Sequence, residues 1–449
     1  MDERDDNDLD YHLNDPEEIK QMILNNNRKK NIITWISIVL FVILVGVAIT
    51  FVILLIRNNK KGTDDKQNTN EDKKNANENK KNANENKNNT IRQFNFTILS
   101  NLSYGEDKIE NTFKIKGANY NKKLENINKG EDYTRNSNRN IYDLYIPNKL
   151  DKNKYNKILL IIHGGAWKYG DKSMFTPLCI NLTNQGYITA SMDHTFINDN
   201  NNNPSIFRIL DEVASVIKSI KKNLKDKGFN ETKLELAIGG ASSGAHIALL
   251  YAYSYKKSPL DIKFVINMVA PVTLESQYYY KSKNPNDTFE KIDEKDIKKY
   301  EEEKRIVSMN NSLSLAENMN LFLGYKKNDN LDQMVKPTNK NEIDIDSQKY
   351  KELLEKAQLT FPVTYVDKNT LPTICLYTGK DFMIGIKHYS YLKSKFDKAE
   401  NKNINLIYQS GLPHEMYVPG LEKEFLEGQE KLFGLISNYS SKYFTQNNK

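Results

Sequence analysis

The chain has 449 residues, 27% charged and 38% hydrophobic, with a net charge of +7 from 65 Lys and Arg against 58 Asp and Glu. That is long for one ordinary domain and short for three, and it supplies apolar material for one sizeable core if the polar residues are concentrated elsewhere. The charge is scattered rather than gathered in a stripe, and no interleaving of basic and aromatic residues occurs, which excludes a nucleic-acid partner. The two cysteines, Cys179 and Cys375, form neither a disulfide framework nor a metal-ligand spacing. Both are expected to be buried thiols, and neither a metal nor a cofactor is expected.

Residues 1–31 read as a polar tail. Residues 32–56, IITWISIVLFVILVGVAITFVILLI, carry no charge and no proline. About 25 residues at 1.5 Å rise cross a hydrocarbon core of roughly 30 Å with some tilt, so this stretch predicts a single transmembrane helix. Trp35 sits where an interfacial aromatic would. The length and the absence of a small-residue cleavage site favour an uncleaved anchor over a signal peptide. Lys20, Arg28, Lys29 and Lys30 on one side balance Arg57, Lys60, Lys61 and Lys66 on the other, so the flanking charge does not choose an orientation. A short tail before an internal anchor predicts a cytoplasmic N-terminus, with the remainder lumenal or extracellular. The sequons Asn95-Phe96-Thr97 and Asn101-Leu102-Ser103 permit glycosylation there. Residues 57–95 are rich in Asn and Lys and repeat KKNANEN at Lys73 and Lys80. No apolar seam accompanies that period, so it predicts a disordered, charged tether rather than a coiled coil.

From about residue 96 the pattern changes to one globular domain, 96–449. Asn140–Pro147 alternates and stops at a proline, as an early antiparallel strand does. Ile158–Ile162, ILLII, predicts a buried strand ending at His-Gly-Gly, and Tyr187–Met192 a second. Pro204-Ser205 open a helix with Ile206, Ile209, Leu210, Val213, Val216 and Ile217 on one face. Leu234–Ile238 is a strand, followed by a helix from Ala245 to about Tyr255. Strands are predicted at Ile262–Val269, Thr373–Thr378 and Ile404–Tyr408. Helices are predicted from His388 to about Lys398 and from Leu421 to about Tyr443. Alternating strands and helices predict an α/β fold with a mostly parallel, doubly wound sheet. The long polar stretch at about 274–362 is read as an inserted cap over the active site.

Gly240-Ala241-Ser242-Ser243-Gly244 matches G-x-S-x-G between a predicted strand and a predicted helix. So tight a turn admits only small neighbours, and it presents Ser242 as a nucleophile at a helix N-terminus. Ser243 is out of frame for that role, and its backbone N–H falls where an oxyanion donor belongs. Taken alone, the same string could be a small-residue turn without chemistry. After ILLII, the glycines of His163-Gly164-Gly165 let backbone N–H groups face a developing oxyanion. His163 reads as a support for that loop rather than a base. Trp167 either lines the pocket or packs.

A serine needs a base, and the base needs an orienting carboxylate. On such a strand–turn–helix these follow the serine, acid first and histidine second. His12, His163 and His194 precede Ser242. His246 lies one helical turn beyond it and faces away from the turn, and His388 sits in a helix. His414 remains, in Gly411-Leu412-Pro413-His414-Glu415 between a strand and the last helix. Asp381, in Gly379-Lys380-Asp381, ends the preceding strand. Each feature alone is commonplace; in this order, at the C-terminal edge of one sheet, they form a catalytic constellation.

YDLYIP, HGGAWKYGDK, GGASSGAH, GKDFMI and GLPHEM together resemble the carboxylesterase-like α/β hydrolases. That group includes hormone-sensitive-lipase-like esterases, feruloyl-esterase-like domains, kynurenine formamidases and isoprenylcysteine methylesterases. The resemblance runs from about Asn140 to the C-terminus, except around Asn284–Ile345. It implies the α/β-hydrolase fold, with Ser242 as nucleophile, Asp381 as acid, His414 as base, and Gly164, Gly165 and Ser243 as oxyanion hole; Ala166 is a further candidate. Two departures stand out. Ala241 and Ser243 replace the residues often found beside the serine, and Asp193-His194-Thr195 replaces the usual Asp-Tyr-Arg, which leaves pocket shape open. The implied function is a membrane-anchored serine hydrolase acting on a small-molecule or lipid ester. An amidase, formamidase or peptidase of the same fold is the alternative, and a catalytically silent binding module is a more distant one.

Overall fold

The computed structural model describes residues 95–104, 139–197, 204–255, 257–279, 312–381, 383–416 and 420–447, all within one compact unit, Thr90–Lys449. Among them no helix is long and apolar enough to cross a membrane. The expected span at 32–56 and, but for Asn95, the expected tether at 57–95 lie outside the described residues.

An eight-stranded sheet organises the chain in the order β1-β2-β4-β3-β5-β6-β9-β10. Its strands are β1 (Phe96–Ser103), β2 (Ile141–Pro147), β3 (Asn156–Ile162), β4 (Ile188–Met192), β5 (Leu234–Ala241), β6 (Asp261–Met268), β9 (Thr373–Lys380) and β10 (Ile404–Pro413). A small hairpin, β7 (Val335–Lys336) with β8 (Asn339–Ile343), stands apart. β1 and β2 pair antiparallel, as do β2 and β4; every other pairing in the large sheet is parallel. Central parallel strands need cover on both faces, which is why ILLII and LELAIGGA are apolar or small at nearly every position.

The helices are α1 (Thr176–Asn184), α2 (Ile206–Asp226), α3 (Ser243–Ser254), α4 (Ser312–Phe322), α5 (Gln348–Ala357), α6 (Lys387–Lys398) and α7 (Glu422–Tyr443). α1 and α7 cover one face of the sheet, where Tyr145 donates to Thr176 and Phe264 meets Tyr439 edge-on. α2, α3 and α6 cover the other, where Tyr142 meets Ser219, Tyr253 meets Thr373 and Tyr377 meets Tyr389. α2 is amphipathic, burying Ile206, Ile209, Leu210, Val213, Val216, Ile217, Ile220 and Leu224 while its lysines face water. α3 is buried along its whole length, matching its nearly uncharged sequence. Gly186 and Gly228, at φ +93° and +86°, follow the last residues of α1 and α2 in the left-handed conformation that ends helices.

Residues 312–362, the larger described part of the expected cap at 274–362, pack on the α2–α3 face. Phe322 of α4 stacks on His246 and meets Trp167 edge-on, and the Thr360 carbonyl accepts from His246. The expected cap therefore sits, as far as it is described, on the side of the sheet opposite the α1–α7 cleft. Residues 280–311 lie outside the described residues.

Candidate active site

Three strands end one residue short of a chemistry-bearing side chain. β5 stops at Ala241 before Ser242, β9 at Lys380 before Asp381, and β10 at Pro413 before His414. β9 and β10 are adjacent and β5 lies one strand further on across β6, so sheet order brings the three positions to one edge. Strand ends are rigid, and side chains leaving them reach a common point above the sheet.

Ser242 links β5 to α3 at φ 51°, ψ −123°, a conformation an L-residue adopts only when its surroundings enforce it. Here its N–H donates to Met268 O at 2.8 Å, and its carbonyl accepts from His246 N at 3.0 Å. The flanking glycines admit no substitute. A Cβ on Gly240 would stand 2.5 Å from Ile162 O, and one on Gly244 would stand 2.2 Å from Ile162 O and 2.3 Å from His163 O. These obstacles are backbone and cannot swing aside. Gly244→Ala is therefore expected to destabilise the fold by about 3 kcal/mol, at the upper end for overpacking. The loss is to be read as a lowered chemical-denaturation midpoint against wild type.

His414 Nδ1 lies 2.6 Å from Asp381 Oδ2, and His414 Nε2 lies 2.9 Å from Ser242 Oγ. Asp381 is buried, and its other oxygen accepts N–H groups from Met383 at 2.8 Å and Ile384 at 2.7 Å. A carboxylate fixed this way can only accept from Nδ1, so the imidazole proton resides there and Nε2 is free to accept the serine hydroxyl. Burial by itself would lower the His414 pKa. The charge of Asp381 and its hydrogen bond outweigh burial, and the net shift is upward.

The loop after β3 crosses in front of Ser242. A Cβ on Gly164 would come within 3.0 Å of Ala241 O and 3.3 Å of Ser242 Cβ, and one on Gly165, at φ +123°, within 2.1 Å of Tyr169 O. The loop's carbonyls are engaged elsewhere. His163 Nδ1–H donates to Gly164 O at 2.7 Å, and Gly165 O accepts from Lys168 N and Tyr169 N, both at 2.9 Å. With no cis peptide among the described residues, the N–H of the following residue points opposite each carbonyl. The N–H groups of Gly165 and Ala166 are thus turned away from those partners.

His163 has the supporting place expected for it. It is fully buried, receives Arg139 Nη2 on Nε2 at 3.1 Å, and stacks on His194 at 4.5 Å between ring centroids. Arg139 also donates to His194 O, lies 3.7 Å from Asp193 and covers the Phe196 ring at 4.0 Å. Arg139, which no local pattern had marked, thus ties the Asp193–Phe196 segment to His163. Trp167 packs rather than lining the cavity. Its indole N–H donates to His246 Nδ1 at 3.2 Å, and His246 Nε2–H donates to Thr360 O at 2.9 Å.

Burial lowers the pKa of His163 and His388 to about 3 and of His194 and His246 to about 4. The unfolded chain would protonate all four near pH 6.5. Between pH 6.5 and 4 the unfolded state therefore holds more protons. Each unit of acidification then removes up to about 1.4 kcal/mol of stability per histidine. His414, shifted upward, is protonated in both states below pH 6.5 and so does not offset this loss. Unfolding midpoints measured from pH 7.5 to 4.5 are expected to fall steeply below 6.5; a flat profile would contradict the neutral buried state.

A cavity of about 880 Å³ opens onto Ser242 and His414 on the α1–α7 face. Gly164, Gly165 and Ala166 form one wall. Met174 and Phe175 approach from the turn before α1 and Leu178 from α1, Phe425, Gly428 and Leu432 from α7, and Met268, Leu376, Met383 and Met416 from the strands and the loops that follow them. None of residues 312–362 contributes. These apolar wall residues carried no sequence signal, since nothing local separates them from core.

The BD-FAE family model matches residues 142–396. No curated protein matches. Among solved structures, the chain is similar to a truncated carbohydrate esterase from gut microbiota (15% identity, 76% of this chain and 97% of that one, TM-score 0.46). It is also similar to esterase B from Lactobacillus rhamnosis (13%, 78% and 90%, TM-score 0.46). A third is a butyrate-bound thermophilic esterase from the Planctomycetes species Thermogutta terrifontis (13%, 69% and 92%, TM-score 0.43). With the family model spanning more than half its length, the chain belongs to the BD-FAE family of esterase-like α/β hydrolases.

Proposed function

We propose that this chain hydrolyses carboxylic esters through an acyl-enzyme on Ser242, with His414 as general base and acid and Asp381 as its orienting carboxylate. The unbroken hydrogen-bond chain from Asp381 through His414 to Ser242 Oγ carries the reading. His414 Nε2 takes the hydroxyl proton as Oγ attacks the ester carbonyl. The N–H groups of Gly165, Ala166 and Ser243 receive the oxyanion. Gly164 contributes the absence of a side chain next to Ser242 rather than a donor. Collapse of the tetrahedral intermediate expels the alkoxide, which takes the proton from His414. Water then enters, loses a proton to Nε2 and releases the acid by the same steps.

Labelling of wild-type protein by a fluorophosphonate probe, together with turnover of 4-nitrophenyl acetate, tests the proposal. Folded protein that neither labels nor turns over would overturn it. The apolar sequence 32–56 supports a second element of the reading, a membrane anchor joined by residues 57–95 to a hydrolase on the lumenal or extracellular side. Protease protection of intact membrane vesicles tests this; digestion of the hydrolase domain from the cytoplasmic face would reverse the orientation.

A further inference from the structure

We infer that the cavity on the α1–α7 face is built for a long, linear, apolar chain, which makes the substrate a fatty-chain ester. The inference rests on the ester-hydrolase reading and goes beyond it to the substrate class. Volume is the first observation. At about 880 Å³ the cavity lies toward the top of the roughly 300–1,000 Å³ range of small-molecule sites, far more than an acetyl group fills.

The chemistry of the wall is the second. Of the 449 residues 65 are Lys or Arg, yet among the described residues none lines this cavity, so no cationic side chain there would pair with an anionic substrate group. Beyond Ser242 and His414 the polar side chains among the described lining residues are Tyr169, Glu415 and Gln429, too few to satisfy the hydroxyls of a sugar. Met174, Met268, Met383 and Met416 are four of the ten methionines in the chain. Unbranched thioethers adapt to a flexible chain rather than to one rigid shape.

The third observation is Gly428. It lies in the interior of α7, where glycine is unfavourable, between the wall residues Phe425 and Leu432. A Cβ there would stand 3.2 Å from the Gln409 side chain. Its bareness lets α7 lie close against β10 beside the cavity. At the mouth Tyr169 and Met174 are 70% and 56% exposed, an apolar rim where such a chain would enter.

The test uses the full-length protein in nanodiscs and monomeric 4-nitrophenyl esters. From acetate to decanoate, kcat/KM is expected to rise at least tenfold, well within the roughly fourfold per buried methylene that full burial allows. A parallel series of alkyl acetates, ethyl to decyl, separates the acyl from the alcohol side; a rise in either series supports the inference. A fall beyond butyrate and ethyl in both, with acetate turnover intact, overturns it. No turnover of any ester and no fluorophosphonate labelling would instead sink the ester-hydrolase reading. Gly428→Leu is expected to lower the decanoate-to-acetate ratio at least fivefold. Met174→Glu, at an exposed position that does not burden folding, is expected to lower it in the same direction. An unchanged ratio in both variants, with labelling intact, would place the chain elsewhere and overturn the inference.

Discussion

Ser242→Ala is expected to lower kcat by on the order of 10⁴–10⁶ and to abolish fluorophosphonate labelling, with the fold intact. The magnitude is that of removing a nucleophile whose base and oxyanion donors act only with it. The fold should survive because Ser242 is held at φ 51° by backbone bonds to Met268 and His246, and alanine experiences the same strain without adding a clash. Only the Oγ contact with His414 is lost. Circular dichroism and unfolding midpoints close to wild type, alongside loss of turnover, are the expected pair of results. Retention of more than a few per cent of wild-type kcat would place the nucleophile elsewhere.

Asp381→Asn is expected to lower kcat by on the order of 10⁴ and to move the pH profile as well. Asparagine keeps an oxygen for Met383 N and Ile384 N, but it can present N–H to His414 Nδ1. That pushes the imidazole proton to Nε2, where it confronts the serine hydroxyl it should accept. The second consequence has a definite sign. In wild type the carboxylate overcomes burial and raises the His414 pKa. The base is disabled by protonation, so kcat/KM should fall as pH drops through a value above 6.5. Without the carboxylate, burial is left unopposed and the acidic limb should shift to lower pH. A variant with the wild-type limb and only a modest loss of rate would mean that Asp381 does not face the base during turnover.

The separation of 172 positions from Ser242 to His414 did not hide their relation, because each stands beside a local pattern. An apolar strand ends, small residues or a proline follow, and the side chain stands at the turn. That syntax is covalent, and a parallel sheet converts it into proximity by aligning the strand ends. The glycines around Ser242 were legible for a similar reason, since close backbone approach excludes any Cβ. β1 and α1 were not legible: FTILSNLS forms a largely exposed edge strand with a bulge, and TPLCINLTN mixes β-branched and polar residues without a marked apolar stripe. The long insert gave no clue to the side it would choose. Its described part lies against α2 and α3 because Phe322 and the Thr360 carbonyl find the buried Trp167–His246 pair there.

Sequence by itself determined the order of elements, the turn that presents Ser242, and the candidates Asp381 and His414, because these depend on local backbone geometry and chain order. Tertiary structure alone decided what surrounds them. Arg139, far from His163 and His194 in any local pattern, bonds to both. Met174, Met383 and Phe425 meet around one cavity although they are far apart in the chain. An apolar side chain looks the same in a sequence whether it faces the core or a substrate, and only the placement of α1 and α7 on one face of the sheet leaves a space lined by both.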